Sequence, residues 1–259
     1  MIRGRSQAAN AIMMIRPAHF GYNPQTADSN AFQISKDIVF SSGSVKEEVL
    51  NEFEQFVAKL RAFDVEVVVF DDTIHPPKPD AIFPNNWISF HEDGTVITYP
   101  MMAENRRCER REDIIRRLKK EHGFQVNRII DYSVYEEDHI FLEGTGSIIY
   151  DYINNIAYAN TSPRTDKGLL EKLGKEQDFE VVTFKAIDQE GKDIYHTNVL
   201  MCLGNNFVVI CEEAIVEEDR ERVLGRLIET GHEIVAISFE QMNSFAGNML
   251  QVNDINGRS

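Results

Sequence analysis

Three polar side chains and the only tryptophan of the chain lie within eight residues of one another and suit a small planar polar ligand. Asp80, Asn85 and Asn86 stand among prolines that deny the backbone a regular helix, and Trp87 follows them as an aromatic wall. A loop whose Asp and Asn side chains bond their own backbone explains the same residues equally well. The stretch therefore indicates a candidate site whose role other residues must decide.

Two further side chains offer acid–base chemistry. Glu143 lies in the stretch Leu-Glu-Gly-Thr-Gly-Ser, whose glycines let a ligand approach the backbone. A glutamate at the edge of a strand can also simply face solvent. His196 begins an apolar stretch, where a lone histidine is more often a core residue with satisfied hydrogen bonds than a proton carrier. Both residues are candidate catalytic groups.

Two arginines are candidates for binding a carboxylate. Arg106 and Arg164 each stand near the start of a predicted helix, and the forked guanidinium group matches the two oxygens of a carboxylate. Acidic residues interleave with the basic run around Arg106, which argues against nucleic-acid binding there. The cysteines do not have the spacing of a metal site, and none is a convincing nucleophile; they are Cys108, Cys202 and Cys211.

Composition narrows the class of protein. The 259 residues carry a formal net charge of -15 and a sequence pI near 4.9, which argues against a nucleic-acid or acidic-membrane surface. No apolar run approaches the roughly 18 residues of a membrane span, and no signal segment follows the first residues. We therefore expect a cytoplasmic protein that binds a small planar polar molecule and uses neither a metal nor a cofactor. The sequence leaves a homo-oligomer open.

The hydrophobic pattern predicts a repeated unit of hairpin, helix and strand. A strand at 11–16, a helix from a Ser44 cap to residue 63 and a strand at 65–70 come first, and the polar segment 19–32 is predicted as a loop near the site. A single helix is predicted from 104 to 122. Four anchor residues, separated by 57, 53 and 52 positions, each fall on the predicted first strand of a hairpin: Asn86, Glu143, His196 and Asn248. Repeated units of this kind stack around an axis, which would place the anchor strands near its centre.

The repeat is incomplete by its own count. The opening strand at 11–16 has no hairpin partner before it, and the last hairpin, from Phe245 to a turn at Asn256-Gly257, has no return strand. A closed ring would need roughly 40 to 60 further residues. We therefore expect one domain over 1–259 that lacks its C-terminal closing segment.

Taken together, the motifs resemble the amidinotransferase and guanidine-modifying superfamily, which includes arginine deiminases and dimethylarginine hydrolases. They are most similar to bacterial citrulline-utilisation hydrolases. The resemblance implies a five-fold pseudosymmetric α/β propeller, the pentein fold, with its last module incomplete here. The matching motifs are Phe83-Pro-Asn-Asn-Trp87, Tyr99-Pro-Met, Asn105-Arg-Arg, Phe141-Leu-Glu-Gly-Thr-Gly-Ser147, Ser162-Pro-Arg-Thr165, His196-Thr-Asn-Val199 and Phe245-Ala-Gly-Asn248.

The resemblance also implies a reaction and a set of roles. The expected activity is hydrolysis of linear amidine or ureido amino acids through a covalent cysteine adduct; the alternatives are an amidinotransferase and a non-catalytic ligand-binding protein. The nucleophile belongs on a final strand that this sequence does not reach. Asn86 stands where deiminases and dimethylarginine hydrolases carry an aspartate, which favours a neutral ureido head over a cationic guanidinium. The implied roles are head-group binding by Asp80, Asn86 and Glu143, acid–base catalysis by His196, and carboxylate binding by Arg106 and Arg164.

Overall fold

The strands of this protein form small separate sheets. The computed structural model describes residues 5–27, 30, 32–33 and 45–259. The strands are β1 (Ala11–Arg16), β2 (Glu66–Asp71), β3 (Ile88–Phe90), β4 (Thr95–Thr98), β5 (Arg128–Asp131), β6 (Ile149–Asp151), β7 (Ile156–Asn160), β8 (Glu180–Phe184), β9 (Met201–Leu203), β10 (Phe207–Ile210) and β11 (Glu233–Ala236). The helices are α1 (Val45–Ala62), α2 (Glu104–Arg107), α3 (Glu112–Glu121), α4 (Gly144–Ser147), α5 (Lys167–Gln177), α6 (Thr197–Leu200), α7 (Glu217–Glu229) and α8 (Phe239–Asn243), with a 3₁₀ turn at Pro84–Asn86.

Three sheets repeat one pattern. They are β3–β4–β5, β6–β7–β8 and β9–β10–β11, and in each the second strand lies between the other two. The first and second strands are antiparallel, whereas the third runs parallel to the second and follows a helix, namely α3, α5 or α7. A fourth sheet holds only the parallel pair β1 and β2, which α1 connects. The predicted unit of hairpin, helix and strand is confirmed in the part of the chain that the structure describes.

The connecting helices follow from local sequence signals. Ile114 and Leu118 lie on one face of α3 and are buried, and Gly123, with φ of +67°, follows its end. Asp166 caps α5 by accepting the backbone N–H of Leu169 at 2.7 Å. Among the described residues, no helix is long and apolar enough to cross a membrane.

The predicted continuous helix from 104 to 122 is wrong. The chain forms α2, leaves helical geometry and begins again at α3, because Arg111 adopts an extended conformation (φ -128°, ψ 102°). The Arg111 guanidinium donates to the backbone oxygen of Asp71 at 2.6 Å and to the carboxylate of Asp113. These bonds hold the break open. As a result, Arg106 lies on a one-turn helix of its own.

The predicted fourth hairpin is also wrong. The residues from Phe245 onward form no strand, and their only β-type pairing in the described structure is a single bridge between Ala9 and Val252. Phe245 adopts a left-handed conformation with φ of +64°, which is incompatible with a strand start. The predicted helix cap at Ser44 lies outside the described residues.

The pattern predicted that Asn86, Glu143 and His196 lie on the first strands of their hairpins, and this prediction is wrong. Asn86 ends the 3₁₀ turn before β3, while Glu143 and His196 are the residues that precede α4 and α6. Each side chain therefore stands on a helical turn just ahead of a first strand. Gly144 makes one of these turns possible, because its φ is +48° and a Cβ there would lie 2.2 Å from the backbone oxygen of Asn85.

The three turns pack against one another and join the modules. Helix α4 contacts both the Pro84–Asn86 turn and α6, and β6 contacts β9. The hydroxyl of Thr197 lies 2.6 Å from the backbone oxygen of Ser147 and 2.8 Å from Oδ1 of Asn160, and it accepts the Asn160 backbone N–H at 2.9 Å. One buried hydroxyl thus ties α6 to α4 and to β7.

We predict that Thr197→Val lowers the free energy of unfolding by about 1 to 3 kcal/mol, because the variant keeps the shape of threonine but leaves buried polar groups unpaired. Thr183→Val is the matched control, since the structure records no hydrogen bond from its hydroxyl in the described region. Urea denaturation of both variants measures the difference. Equal stability of the two would show that the Thr197 hydroxyl does not join the modules.

Candidate active site

The Glu143 carboxylate is the buried centre of the site. Its side chain is fully buried, and Oε1 accepts the backbone N–H of Met102 at 3.0 Å. Oε2 lies 2.8 Å from Nε2 of His196 and 3.4 Å from NH1 of Arg164. Burial alone would raise the pKa of Glu143, but the His196 hydrogen bond and the charges of Arg164 and Arg106 lower it to about 2. Glu143 is therefore ionised at neutral pH.

His196 is held in one tautomer by this carboxylate. An ionised carboxylate can only accept hydrogen bonds, so Nε2 of His196 must carry the proton that Glu143 receives. Burial lowers the pKa of His196 below its usual value, and the hydrogen bond to Glu143 opposes this only in part. The imidazole is therefore neutral at pH 7, and its Nδ1 carries a lone pair. This nitrogen can act as a general base.

Asn86 and His196 face the same point. A Cβ added to Gly146 would lie 2.5 Å from Nδ2 of Asn86 and 2.7 Å from Nδ1 of His196. The missing side chain of Gly146 thus lets an amide donor and a basic nitrogen approach one place. The close approach of a ligand to this backbone stays a prediction, whereas the structure shows that Gly146 gives room to two site residues.

Arg106 lies behind Asn86, almost fully buried. Its NH1 donates to Oδ1 of Asn86 at 2.8 Å, and Nε and NH2 each donate to the carboxylate of Glu109 at 2.9 Å. NH2 also faces the backbone oxygens of Asp80 and Phe83 at 3.4 and 3.3 Å. Glu109 was not predicted, although its position three residues after Arg106 in a helical stretch is a signal for an ion pair.

Arg164 lies on the other side of Glu143. Besides the contact with Glu143, its NH2 donates to the backbone oxygen of Thr26 at 3.4 Å, and its guanidinium carbon lies 4.8 Å from the centre of the Tyr195 ring. An arginine over an aromatic face is favoured by the charge distribution of the ring. The described part of the polar segment 19–32 therefore does reach the site, as predicted.

Asp80 and Asn85 occupy the more open part of the site. The Asp80 side chain is 16% exposed, with Oδ2 3.7 Å from Nε of Arg106 and 2.6 Å from Nδ2 of Asn23. Asn85 is half-buried, and its backbone oxygen packs against Gly144. All seven predicted site residues thus belong to one cluster or border it. Asn23 was missed, because nothing in a polar loop marks which of its amides turns inward.

The three cysteines lack the character of an activated nucleophile. Cys202 and Cys211 are buried in the core around β9 and β10, and burial raises the pKa of both thiols. Cys108 is exposed, and desolvation likewise raises its pKa. A reactive thiol needs a lowered pKa. Among the described residues, no cluster of His, Cys, Asp and Glu side chains could hold a metal ion.

A comparison with known protein families matches residues 16–259 to the family described as N,N-dimethylarginine dimethylhydrolase, eukaryotic. The chain belongs to this family. Dimethylarginine dimethylhydrolases are hydrolases that act on C–N bonds of amidino groups, and the chain is therefore a member of a hydrolase family. A search of curated proteins finds no match.

Solved structures show that the α/β fold of this dimethylarginine dimethylhydrolase family member is shared. The N-terminal domain of ArgZ, a cyanobacterial arginine dihydrolase bound to substrate, matches with a TM-score of 0.67 and 21% identity over 93% of this chain and 80% of that one. Full-length ArgZ matches with a TM-score of 0.70 and 20% identity over 93% of this chain, but this chain spans only 33% of full-length ArgZ. DDAH from Pseudomonas aeruginosa, bound to citrulline, matches with a TM-score of 0.51 and 13% identity over 93% of this chain and 96% of that one.

We predict that His196 carries its proton on Nε2 at pH 7 and becomes doubly protonated only below its usual pKa of about 6.5, because burial disfavours the charged ring. Nitrogen-15 NMR of labelled histidine, with the His196 signals assigned through their loss in His196→Gln, measures the tautomer and the titration. A proton on Nδ1 would contradict the assignment of Nδ1 as the base, and a midpoint above 6.5 would contradict the effect of burial on the pKa.

We also predict that Gly146→Ala leaves the protein folded but lowers citrulline-dependent activity or affinity by about 100-fold, because the new Cβ displaces Asn86 and His196 by a large fraction of an ångström. Gly225→Ala in α7 is the control, since a Cβ there meets nothing within 4 Å. Melting temperature and calorimetric titration are measured on both variants. Unchanged ligand affinity in Gly146→Ala would mean that the site does not need this gap.

Proposed function

We propose that the site binds a linear amino acid with a planar ureido or amidino head and hydrolyses a C–N bond of that head. The observation that carries the proposal is that Asn86 Nδ2 and His196 Nδ1 both pack against Gly146, beside the ionised Glu143. A planar head bound next to these side chains would meet an amide donor, a base and a carboxylate. Together with a nucleophile, these groups can hydrolyse a C–N bond at a planar carbon.

We assign the ends of the substrate by charge. The N–H groups of the head would donate to the carboxylates of Glu143 and Asp80, and Asn85 would border the head at the open side of the pocket. The α-carboxylate would lie towards the positive charges of Arg164 and Arg106, which are both almost fully buried and therefore poorly screened by water.

The reaction proposed is a double displacement. Nδ1 of neutral His196 takes the proton of a thiol, whose sulfur attacks the planar carbon and forms an S–C bond. The C–N bond breaks, and the departing amine takes this proton from His196. Neutral His196 then removes a proton from water through Nδ1, the oxygen attacks the same carbon, the S–C bond breaks, and the proton returns to the sulfur. The raised pKa values of Cys108, Cys202 and Cys211 favour a thiol other than these three.

We further propose that the sheets belong to a five-fold pseudosymmetric propeller with the site on its axis. The support is that three modules share one strand order and that a turn bearing a site residue precedes each of them. Free cysteines in the described chain favour a reducing, cytoplasmic location. Whether the protein assembles into a homo-oligomer stays a prediction.

We predict that the protein binds citrulline in preference to arginine and that Asn86→Asp shifts the ratio of affinities towards arginine by about tenfold or more. The amide donates to a ureido oxygen, whereas a carboxylate at this position only accepts and attracts a guanidinium cation. An unpaired buried acceptor costs about 1 to 3 kcal/mol. Calorimetric titration with both amino acids, and kcat/KM where turnover is observed, measures the ratio.

Asn206→Asp is the control for this experiment, because it adds the same charge at an exposed hairpin turn of the third module. It should leave the ratio of affinities unchanged. A wild-type protein that prefers arginine, or an unchanged ratio in Asn86→Asp, would show that Asn86 does not distinguish the two heads. Failure to bind either amino acid would argue against the proposed function itself.

A further inference from the structure

The peptide group between Met101 and Met102 links an arginine to the buried carboxylate of the site. The Met102 N–H of this group donates to Oε1 of Glu143 at 3.0 Å. Its carbonyl oxygen, which belongs to Met101, accepts the Nε–H of Arg107 at 3.1 Å. In a planar trans peptide the C=O and N–H bonds point in opposite directions. Arg107 and Glu143 therefore lie on opposite sides of one peptide group, and each bond restrains the rotation of that group.

The bond from Met102 also sets the orientation of the Glu143 carboxylate. Oε1 receives the backbone N–H, while Oε2 faces Nε2 of His196 at 2.8 Å and NH1 of Arg164 at 3.4 Å. A carboxylate that is held at both oxygens cannot rotate about its terminal bond without losing a buried hydrogen bond. The donor at Oε1 therefore helps to keep Oε2 in place for His196.

Arg107 acts on this donor in two ways. Its Nε–H fixes the direction of the Met101 carbonyl and therefore the direction of the Met102 N–H. Its positive charge also lies at the oxygen end of the peptide dipole, where it polarises the group and strengthens the N–H as a donor. The Arg107 side chain is 26% exposed, so water screens this charge only in part.

A second carboxylate holds both Arg107 and the backbone beside it. Glu136 lies in a 3₁₀ turn at Ser133–Asp138, and its Oε2 is 3.4 Å from Nε of Arg107. Its Oε1 accepts the backbone N–H of Met101 at 2.7 Å. Two successive peptide groups are therefore held from outside the site, one by Glu136 and the next, which carries the Met102 N–H, by Arg107.

We propose that Arg107 is a positioning residue, which acts through the peptide group of Met101 and Met102 to hold the Glu143 carboxylate in the orientation that His196 requires. Its effect on ligands rests on the proposed function, because that function assigns the N–H groups of the substrate head to Glu143. The role does not require Arg107 to touch the substrate. The sequence gave no sign of it, since the bond from Arg107 is to a backbone oxygen.

The first measurement needs no ligand. Arg107→Met keeps an unbranched side chain but removes its donors and its charge. The Met102 amide proton should then move upfield in the NMR spectrum and exchange with solvent about tenfold faster, because its hydrogen bond to Glu143 weakens. An unmoved resonance with unchanged exchange would overturn the proposal.

Arg222→Met in α7 is the matched control. The Arg222 guanidinium also donates to a backbone oxygen, that of Thr183 at 2.6 Å, and pairs with the carboxylate of Asp219. This variant should leave the Met102 amide unchanged, and melting temperatures report the folding of both variants. Should Arg107→Met fail to fold, Arg107→Lys keeps the charge and displaces the donor, and it should move the Met102 amide in the same direction by a smaller amount.

The second measurement compares two ligands by NMR shift titration. Butylurea has the ureido head of citrulline and neither its α-amino nor its α-carboxylate group. In Arg107→Met both ligands should weaken by a similar factor of about fivefold, the scale of one hydrogen bond, because Glu143 faces the head that they share. A loss confined to citrulline would show direct contact with the substrate carboxylate. A lower melting temperature with both affinities unchanged would show a role in the fold alone. Either result would overturn the proposal.

The proposed function and the role of Arg107 fail in different ways. A wild-type protein that binds neither citrulline, arginine nor butylurea would overturn the proposed function. The Met102 amide would then still decide whether Arg107 holds the peptide group against Glu143, because that measurement is made on the ligand-free protein.

Discussion

The site depends on one ionised carboxylate that has no contact with solvent. A buried charge is stable only if its neighbours replace the hydration that it loses. Glu143 receives that replacement from three parts of the chain: a backbone N–H that follows the first module's hairpin, the histidine ahead of the third module, and an arginine that follows the second strand of the second module. The carboxylate can remain charged only when the modules meet in this one arrangement.

The charged residues around Glu143 are paired in the same way. Its neighbour Arg164 packs on an aromatic ring, and the second buried arginine, Arg106, is neutralised by Glu109. Positive and negative groups therefore alternate through the pocket. Each charge stabilises the opposite charge beside it against the cost of burial in a low-dielectric environment. Effects of substitutions within this network should be strongly non-additive, since each removal leaves a different charge unpaired.

The sequence was informative where periodicity or short motifs acted locally. The order of strands and helices followed from hydrophobic pattern, and the repeated anchors brought Asn86, Glu143 and His196 to one place. The turns that carry these residues were missed, since a strand pattern and a single helical turn before a strand look alike in composition. The break before α3 depends on the bond from Arg111 to Asp71, two residues 40 positions apart, which no local signal encodes.

The three turns ahead of the first strands have a consequence for how such a pocket changes. A short helical turn of the same kind presents the amide of Asn86, the carboxylate of Glu143 and the imidazole of His196. The shape of each turn is set by neighbouring groups, such as Gly144 and the Thr197 hydroxyl. The backbone of each turn is thus set by residues other than the side chain that it displays. A displayed group can therefore be exchanged in evolution without rebuilding its turn, provided that the new group leaves the neighbouring charges paired.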